Sequence, residues 1–204
     1  MRGKAMKKIC NKLELHGFDM SQMDALEFFA REGKWHVLSY ADKIGSLEAW
    51  ELDDNFEEEL RKNLPMASVK IGNSFELARL KQNQNQNKFN FIVIDNPQGL
   101  YGANNDFSEH FEAIELIPLL MKNKAIVVFN INSKPFDYDK KLDWQKRRNI
   151  FYHVDDASVL SKSFLMAFYK NFFEDLDLNV NFSWIEPRND QYLSYFVAGL
   201  QVDC

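Results

Sequence analysis

The chain alternates short, mostly apolar runs with longer segments in which apolar residues recur at helical spacing. Runs of strand length lie at Ala25–Ala30, Leu47–Leu52, Val69–Gly72, Phe89–Asp95 and Ala125–Ile131. Runs with little or no polar face are typical of strands that helices cover on both sides. The pattern therefore predicts a largely parallel sheet inside helical layers.

Helices are predicted between these runs. Their expected ranges are Ala5–Leu15, Trp35–Gly45, Phe107–Met121 and Ser158–Asp175. Asp54 followed by Glu57 forms an aspartate version of a capping box, which predicts a further helix that stops before Pro65. The polar tract at positions 82–87 is interpreted as a surface connection.

The last part of the chain predicts a pair of antiparallel strands. Asn179–Ile185 and Tyr192–Leu200 are strand-like and are separated by turn residues at 187–190. Strands that alternate with helices predict right-handed crossovers and a doubly wound α/β sheet. In such a sheet, a ligand binds at the carboxyl ends of the strands.

Length and charge limit the class of protein. A chain of 204 residues with 46% hydrophobic residues predicts a single folded domain over positions 1–204. The net charge of −5 disfavours nucleic acid as a partner, because a protein that binds phosphates needs a basic face.

Cysteine content and hydropathy bear on the compartment. Only Cys10 and Cys204 are present, without metal-ligand spacing, so neither a disulfide framework nor a zinc site is predicted. The apolar runs are strand-sized and the basic N-terminus lacks the apolar core of a signal peptide. We therefore expect a cytoplasmic protein without membrane anchoring.

The order of elements and the final hairpin resemble the class I S-adenosylmethionine-dependent methyltransferases over about 25–200. The resemblance implies a Rossmann-like sheet of seven strands and S-adenosylmethionine as cofactor. The family's glycine-rich loop after the first strand corresponds here to the segment Glu27–Gly33, which keeps one glycine. The cofactor-binding residues that this match implies are Glu27, Phe29, Ala30, Arg31 and Gly33.

Two further segments resemble cofactor-binding motifs. Glu51, followed by Leu52, corresponds to the acid after the second strand that accepts hydrogen bonds from the ribose hydroxyls. Asn73 and Ser74 correspond to the segment that contacts adenine. For Glu51 the alternative is an ordinary solvated carboxylate, and for Asn73 and Ser74 it is N-capping of a helix, which is compatible with an adenine contact.

The loop after the fourth strand carries the candidate catalytic residues. Asp95 and Asn96, followed by Pro97, resemble the family's loop that faces the methyl group, and Asp95 is also a candidate cofactor contact. Nucleic-acid enzymes of this family that methylate amines use Asp/Asn-Pro-Pro-Tyr in this loop. This chain has one proline and no aromatic residue at the fourth place, which weakens the case for methylation of nucleobase amines. His110 is a candidate base, with a structural hydrogen-bonding role as the alternative.

The segment 133–156 is predicted to be a substrate-side insert. It contains Lys140 and Lys141, Trp144, and the basic run at Lys146, Arg147 and Arg148, a patch that could hold a phosphate or a stacked ring. The interleaved acids favour a solvated helix face instead.

These observations favour methyl transfer from S-adenosylmethionine to a small-molecule or other non-nucleic-acid acceptor. Two alternatives stay open at this point. One is a non-catalytic S-adenosylmethionine-binding or interaction protein with the same fold, because two loop glycines are missing. The other is an RNA or DNA methyltransferase, because of the sequence at 95–97 and the basic insert. The sequence leaves the acceptor and the oligomeric state open.

Overall fold

The computed structural model describes residues 3–83, 89–136, 138–188 and 192–203. Positions 84–87 of the polar tract and positions 189–190 of the predicted turn lie outside these residues. Among the helices that are described, none has the length and apolar character needed to cross a membrane.

The described residues form nine strands in two sheets. The strands are β1 (Asp24–Glu27), β2 (Ser46–Glu51), β3 (Ser68–Ile71), β4 (Phe89–Ile94), β5 (Leu100–Tyr101), β6 (Phe107–Ser108), β7 (Met121–Asn132), β8 (Leu178–Pro187) and β9 (Leu193–Val202). The main sheet has the order β3-β2-β1-β4-β7-β9-β8, and β5 pairs with β6 in a separate antiparallel hairpin.

The directions of the strands confirm the predicted fold. The strands β3, β2, β1, β4 and β7 are parallel, whereas β9 runs antiparallel to both β7 and β8. The chain order reverses between β1 and β4, which are neighbours in the sheet. In doubly wound sheets this reversal opens a crevice at the carboxyl ends of the two strands.

In the part of the chain that the structure describes, seven α-helices cover the sheet. They are α1 (Lys4–Leu15), α2 (Glu57–Asn63), α3 (Ser74–Asn83), α4 (Phe111–Ile114), α5 (Ile117–Leu120), α6 (Leu142–Tyr152) and α7 (Lys162–Glu174). Strand residues alternate between the two faces. Leu26, Ile92 and Phe129 pack with α3 to α7 on one face, and Ala25 and Val93 pack with α1 and α2 on the other. Because these strands are buried on both faces, nearly every residue along them is apolar.

The helix predicted over Trp35–Gly45 is wrong. The described structure has a 3₁₀ turn at His36–Ser39, followed by irregular turns up to β2. Tyr40 and Val37 are nevertheless buried. Leu38, whose spacing from Trp35 and Ala41 predicted the helix, is 50% exposed, so this spacing does not mark a buried helical face.

The helix predicted over Phe107–Met121 is also wrong. That range begins with β6, continues through the single-turn helices α4 and α5, and ends where β7 begins. Pro118 lies in the first turn of α5. Because proline lacks an N–H and its ring clashes with the preceding turn, α4 cannot continue through this position as one helix.

The side-chain cap lies at Asp53 instead of the predicted Asp54, and it caps a 3₁₀ turn instead of forming a capping box. Asp53, not Asp54, accepts a hydrogen bond from the backbone N–H of Asn55 at 3.0 Å. A 3₁₀ turn at Asp54–Phe56 then leads into α2. Glu57 becomes the first residue of α2, where an acid interacts favourably with the helix dipole.

Candidate active site at the carboxyl ends of the strands

A cavity of about 830 Å³ lies at the carboxyl ends of the parallel strands. The loops after β1, β2, β3 and β4 line it, together with the β5–β6 hairpin, Asn130 of β7 and residues at the ends of β8 and β9. This volume is within the range of pockets that bury small ligands.

The lining contains most of the residues that the sequence predicted for the site. They are Phe29, Ala30, Arg31, Glu51, Leu52, Asn73, Ser74, Asp95 and Asn96. Glu27, Gly33 and His110 are not part of the lining. The acids Glu27, Glu51 and Asp95 all come at or directly after the carboxyl end of a strand, which brings them to the same edge of the sheet.

The loop after β1 makes a tight turn in which a non-glycine residue adopts a left-handed conformation. Arg31 has a φ of 48°, in the left-handed region that glycine adopts most easily. Its backbone N–H donates to Oε2 of Glu51 at 2.6 Å. The guanidinium lies 5.4 Å from the ring centre of Phe56, outside the turn. Arg31 therefore takes a backbone shape that its side chain disfavours.

Gly33 supports the loop from behind. Its φ is 67°, and a Cβ at this position would lie 2.9 Å from Cδ1 of Leu60 and 3.1 Å from Leu64. Both leucines belong to the core packed around α2. The glycine is thus needed for close packing against α2 as well as for its backbone conformation.

Glu51 closes the end of β2 and faces the cavity. Oε1 accepts from the backbone N–H of Asp53 at 2.9 Å, and Oε2 accepts from that of Arg31. The carboxylate is held in place with spare lone pairs, because an ionised carboxylate offers about four acceptor sites. Leu52 beside it is 66% exposed, which leaves an apolar surface next to the acid.

Asn73 and Ser74 begin α3. Oδ1 of Asn73 accepts from the backbone N–H of Phe75 at 2.9 Å, and the Ser74 hydroxyl donates to the carbonyl oxygen of Phe28 at 2.7 Å. The N-capping role considered for Asn73 is present in the structure, while the adenine contact stays a prediction. Ser74 ties the start of α3 to the loop after β1.

Asp95 belongs to a partly buried network of charges. Its Oδ1 accepts from Arg188 at 2.7 Å, and its Oδ2 lies 2.7 Å from Nδ1 of His36. The other ring nitrogen of His36 lies 2.9 Å from Oε1 of Glu27. Tyr195 donates to Oδ2 of Asp95 at 3.2 Å. We call Glu27, His36, Asp95 and Arg188 the charge network.

The pKa values in this network follow from its geometry. Burial opposes protonation of His36, but the carboxylates of Glu27 and Asp95 outweigh it and raise the pKa of the imidazole to about 10. Burial would raise the pKa of Asp95, but His36 and Arg188 lower it to about 2. At neutral pH, His36 is therefore charged and Asp95 is a poor proton acceptor.

Asn96 is fixed through its backbone. Its N–H donates to Oδ1 of Asn130, and its carbonyl oxygen accepts from Nδ2 of Asn130, both at 3.0 Å. Asn130 lies on β7, next to β4 in the sheet. This reciprocal pair sets where the backbone turns into Pro97.

His110 lies apart from the cavity in the core. It has no exposed surface, and its Nε2 contacts the hydroxyl of Tyr169 on α7. Burial, and to a lesser degree the charge of Arg148, holds the pKa of His110 well below its usual range. A sealed, neutral imidazole with an internal partner matches the structural alternative considered for this residue.

The β5–β6 hairpin forms an aromatic wall of the cavity. Phe107 stacks on Phe75 with ring centres 4.2 Å apart, and Tyr101 meets Phe29 edge-on at 5.9 Å. Phe107 was predicted to lie in a helix, so this wall was not expected from the sequence. His36 and Arg188 were not expected either; they reach the cavity through a 3₁₀ turn and from the end of β8.

The segment 133–156 braces the hairpin without lining the cavity. Arg148 and Glu109 form an ion pair with no exposed side-chain surface. Arg147 forms an ion pair with Glu112 and donates to the carbonyl oxygen of Asn105 at 3.2 Å. Of the basic run, only Lys146 remains largely exposed. The substrate-side role of this segment stays a prediction.

Solved structures, several of them methyltransferases, share this fold at low sequence identity. The O-methyltransferase from Bacillus cereus in complex with SAH is 13% identical, with a TM-score of 0.61 over 98% of this chain and 82% of that chain. TYW2 from M. jannaschii, in complex with AdoMet, is 9% identical, with a TM-score of 0.51 over 97% and 77%. A conserved hypothetical protein from Streptococcus pyogenes is 11% identical, with a TM-score of 0.52 over 95% and 94%.

The chain spans about half the length of two other matched structures. No protein-family model and no curated protein sequence matches it. At these identities the comparisons establish the fold, which is the Rossmann-like fold of the class I methyltransferases, as the sequence predicted.

Proposed function

We propose that the cavity binds S-adenosylmethionine and that the protein transfers the methyl group to a small-molecule or other non-nucleic-acid acceptor. The observation that carries this proposal is the position of Glu51. It ends β2 inside the cavity, 8% exposed, with each carboxylate oxygen held by a backbone N–H. Solved neighbours with this fold were crystallised with SAH or AdoMet.

The residues around Glu51 fit the nucleoside half of this cofactor. The spare lone pairs of Glu51 can accept both ribose hydroxyls. Leu52 and Phe75 offer apolar surfaces for a purine, and Asn73 lies beside them in the lining. The aromatic wall of Phe75 and Phe107 suits a planar ring, which prefers offset or edge contacts with aromatic side chains.

The loop after β1 fits the amino-acid half. Ala30 presents little side chain, and the left-handed turn at Arg31 keeps the backbone close to the cavity. We assign Glu27 and Gly33 indirect roles, because the carboxylate of Glu27 pairs with His36 and Tyr40 and Gly33 packs on α2.

S-adenosylmethionine, when bound, would supply an electrophilic methyl group, with the sulfonium sulfur as a leaving group that keeps the carbon–sulfur electron pair. The protein's task is then mainly to position the acceptor. Asp95 and Asn96 would do so from the end of β4, next to the charge network. Because both oxygens of Asp95 are engaged, we assign it orientation rather than proton removal, and we assign His110 a structural role.

The distribution of basic residues supports a non-nucleic-acid acceptor. Within the basic run, Arg148 is buried against Glu109 and Arg147 pairs with Glu112. A nucleic-acid site needs several exposed cations that displace counterions from phosphates. The run does not supply such a face.

Calorimetric titration with S-adenosylmethionine and with its demethylated product tests the proposal. Saturable binding of both, together with label transfer from methyl-labelled cofactor to a fractionated metabolite pool, would support it. Binding without transfer to any fraction would favour the non-catalytic alternative. A folded protein that binds neither compound would contradict the proposal.

A further inference from the structure

His36 bridges two acids that come from neighbouring strands. Its Nε2 lies 2.9 Å from Oε1 of Glu27 at the end of β1, and its Nδ1 lies 2.7 Å from Oδ2 of Asp95 after β4. A neutral imidazole carries one N–H only, whereas each nitrogen here faces a carboxylate oxygen. Nε2 forms a hydrogen bond with Glu27, whereas Nδ1 lies within ion-pair distance of Asp95 without the geometry of a hydrogen bond. A ring protonated on both nitrogens places its positive charge between the two acids.

The remaining oxygens of the two acids are occupied as well. Tyr40 donates to Oε2 of Glu27, and Arg188 donates to Oδ1 of Asp95 at 2.7 Å. Tyr195 donates to the Asp95 oxygen that faces His36. Two acids thus meet two cations, and the charge network is neutral as a unit.

A second, smaller pocket lies on the other side of His36. Lys4 of α1, Trp35, Arg188 and Tyr195 line this pocket of about 100 Å³, which shares His36 with the main cavity. The charged groups near the ring are therefore Lys4 and Arg188 as cations and Glu27 and Asp95 as anions. Among the described residues that line these two spaces, His36 lies within ion-pair distance of both acids.

We propose that His36 is a positioning residue that sets the charge preference of the cavity. Held between Glu27 and Asp95, it supplies from within the protein the positive charge that the two acids would otherwise draw from a ligand. The cavity wall then presents no uncompensated anion at this point. This inference rests on the proposed function, because it concerns how the cavity treats a sulfonium cation.

The cofactor and its product give a direct probe of charge preference. S-adenosylmethionine differs from S-adenosylhomocysteine by one methyl group and one positive charge. In His36→Gln, the acids lose the cation between them. The affinity for S-adenosylmethionine relative to S-adenosylhomocysteine should therefore rise by about tenfold at low salt. A purely structural role for His36 would weaken both ligands by the same factor.

The titrations would compare wild type, His36→Gln and His16→Gln, since His16 is an exposed histidine remote from the cavity. An unchanged ratio in a folded His36→Gln protein would overturn the inference. Absence of binding to the wild type would instead overturn the proposed function.

A second measurement needs neither ligand nor mutant. In a ¹⁵N-labelled wild-type protein at pH 8, both ring nitrogens of one histidine should give the shifts of protonated nitrogens, with slow exchange of their protons. A single neutral tautomer for every histidine at that pH would contradict the inference even if His36→Gln did not fold.

Discussion

The carboxylate of Glu51 accepts a hydrogen bond from the backbone N–H of Arg31 at 2.6 Å. Glu51, at the end of β2, therefore fixes the backbone of the loop after β1. The same contact helps to orient the Glu51 carboxylate toward the cavity. A ligand contact at Glu51 and the shape of the loop are coupled through one side chain.

Glu51→Ala should weaken binding of S-adenosylhomocysteine by about 1.5 to 3 kcal/mol, as expected for loss of hydrogen bonds to a charged group. Glu51→Gln should cost less, because its amide oxygen still accepts from one backbone N–H. Calorimetry measures both. Glu58→Gln is the control, since Glu58 is exposed on α2 outside the cavity lining. Equal affinity in wild type and Glu51→Ala would remove Glu51 from the site.

Arg31→Gly should be more stable than Arg31→Ala by about 1 kcal/mol, because alanine keeps the left-handed strain and glycine relieves it. Both variants lose the same contacts with Phe56 and Glu32. The difference in the free energy of unfolding from urea denaturation isolates the backbone effect. The opposite order would show that the loop does not hold this conformation in solution.

The charge network should make stability depend on pH. The pKa of His36 is raised from 6.5 to about 10 in the folded protein, so its contribution is complete below about pH 6.5 and is lost as the pH rises toward 10. Urea denaturation between pH 6 and pH 10 should show unfolding free energy falling by at most about 1.4 kcal/mol per pH unit for this proton. His36→Gln should lack that part of the slope.

At the acid end the sign reverses. The pKa of Asp95 is lowered from 3.8 to about 2, so its contribution is present above about pH 4 and is lost as the pH falls toward 2. Asp95→Asn should be less stable than wild type at pH 6 and should approach it at pH 2. A constant difference between the two proteins over that range would contradict the assignment.

Arg148→Met should destabilise the protein by about 3 to 5 kcal/mol, because it leaves the buried carboxylate of Glu109 without its cation. Glu109→Gln together with Arg148→Met should cost less than the sum of the single changes, as expected for residues in contact. Lys146→Met is the matched control on the exposed face of α6. Additive effects would show that the two side chains do not pair.

The sheet could be predicted because most of its strands are buried on both faces. Phe91 and Val93 point to one core and Ile92 to the other, so consecutive positions of this strand are all apolar. The antiparallel end of the sheet was also visible, since β8 and β9 follow each other with turn residues between them. The residues that follow strand ends, such as Glu51 and Asp95, could be placed at one edge for the same reason.

Other parts of the site depend on contacts between distant segments. His36 reaches Glu27 and Asp95 only because the chain after β1 forms a 3₁₀ turn instead of the predicted helix. Phe107 meets Phe75 only because Pro118 and the hairpin divide what looked like one helix. Neither contact has a spacing in the sequence that would reveal it.

The bracing of the β5–β6 hairpin by α6 has a consequence for how the molecule opens. Glu109, Glu112 and the carbonyl oxygen of Asn105 are all held by Arg147 and Arg148. Local opening of the hairpin must therefore separate the buried ion pair of Arg148 and Glu109. The hairpin and α6 should consequently exchange their amide hydrogens as one cooperative unit. A ligand that binds against Phe107 should then slow amide hydrogen exchange in α6, although it makes no contact with that helix.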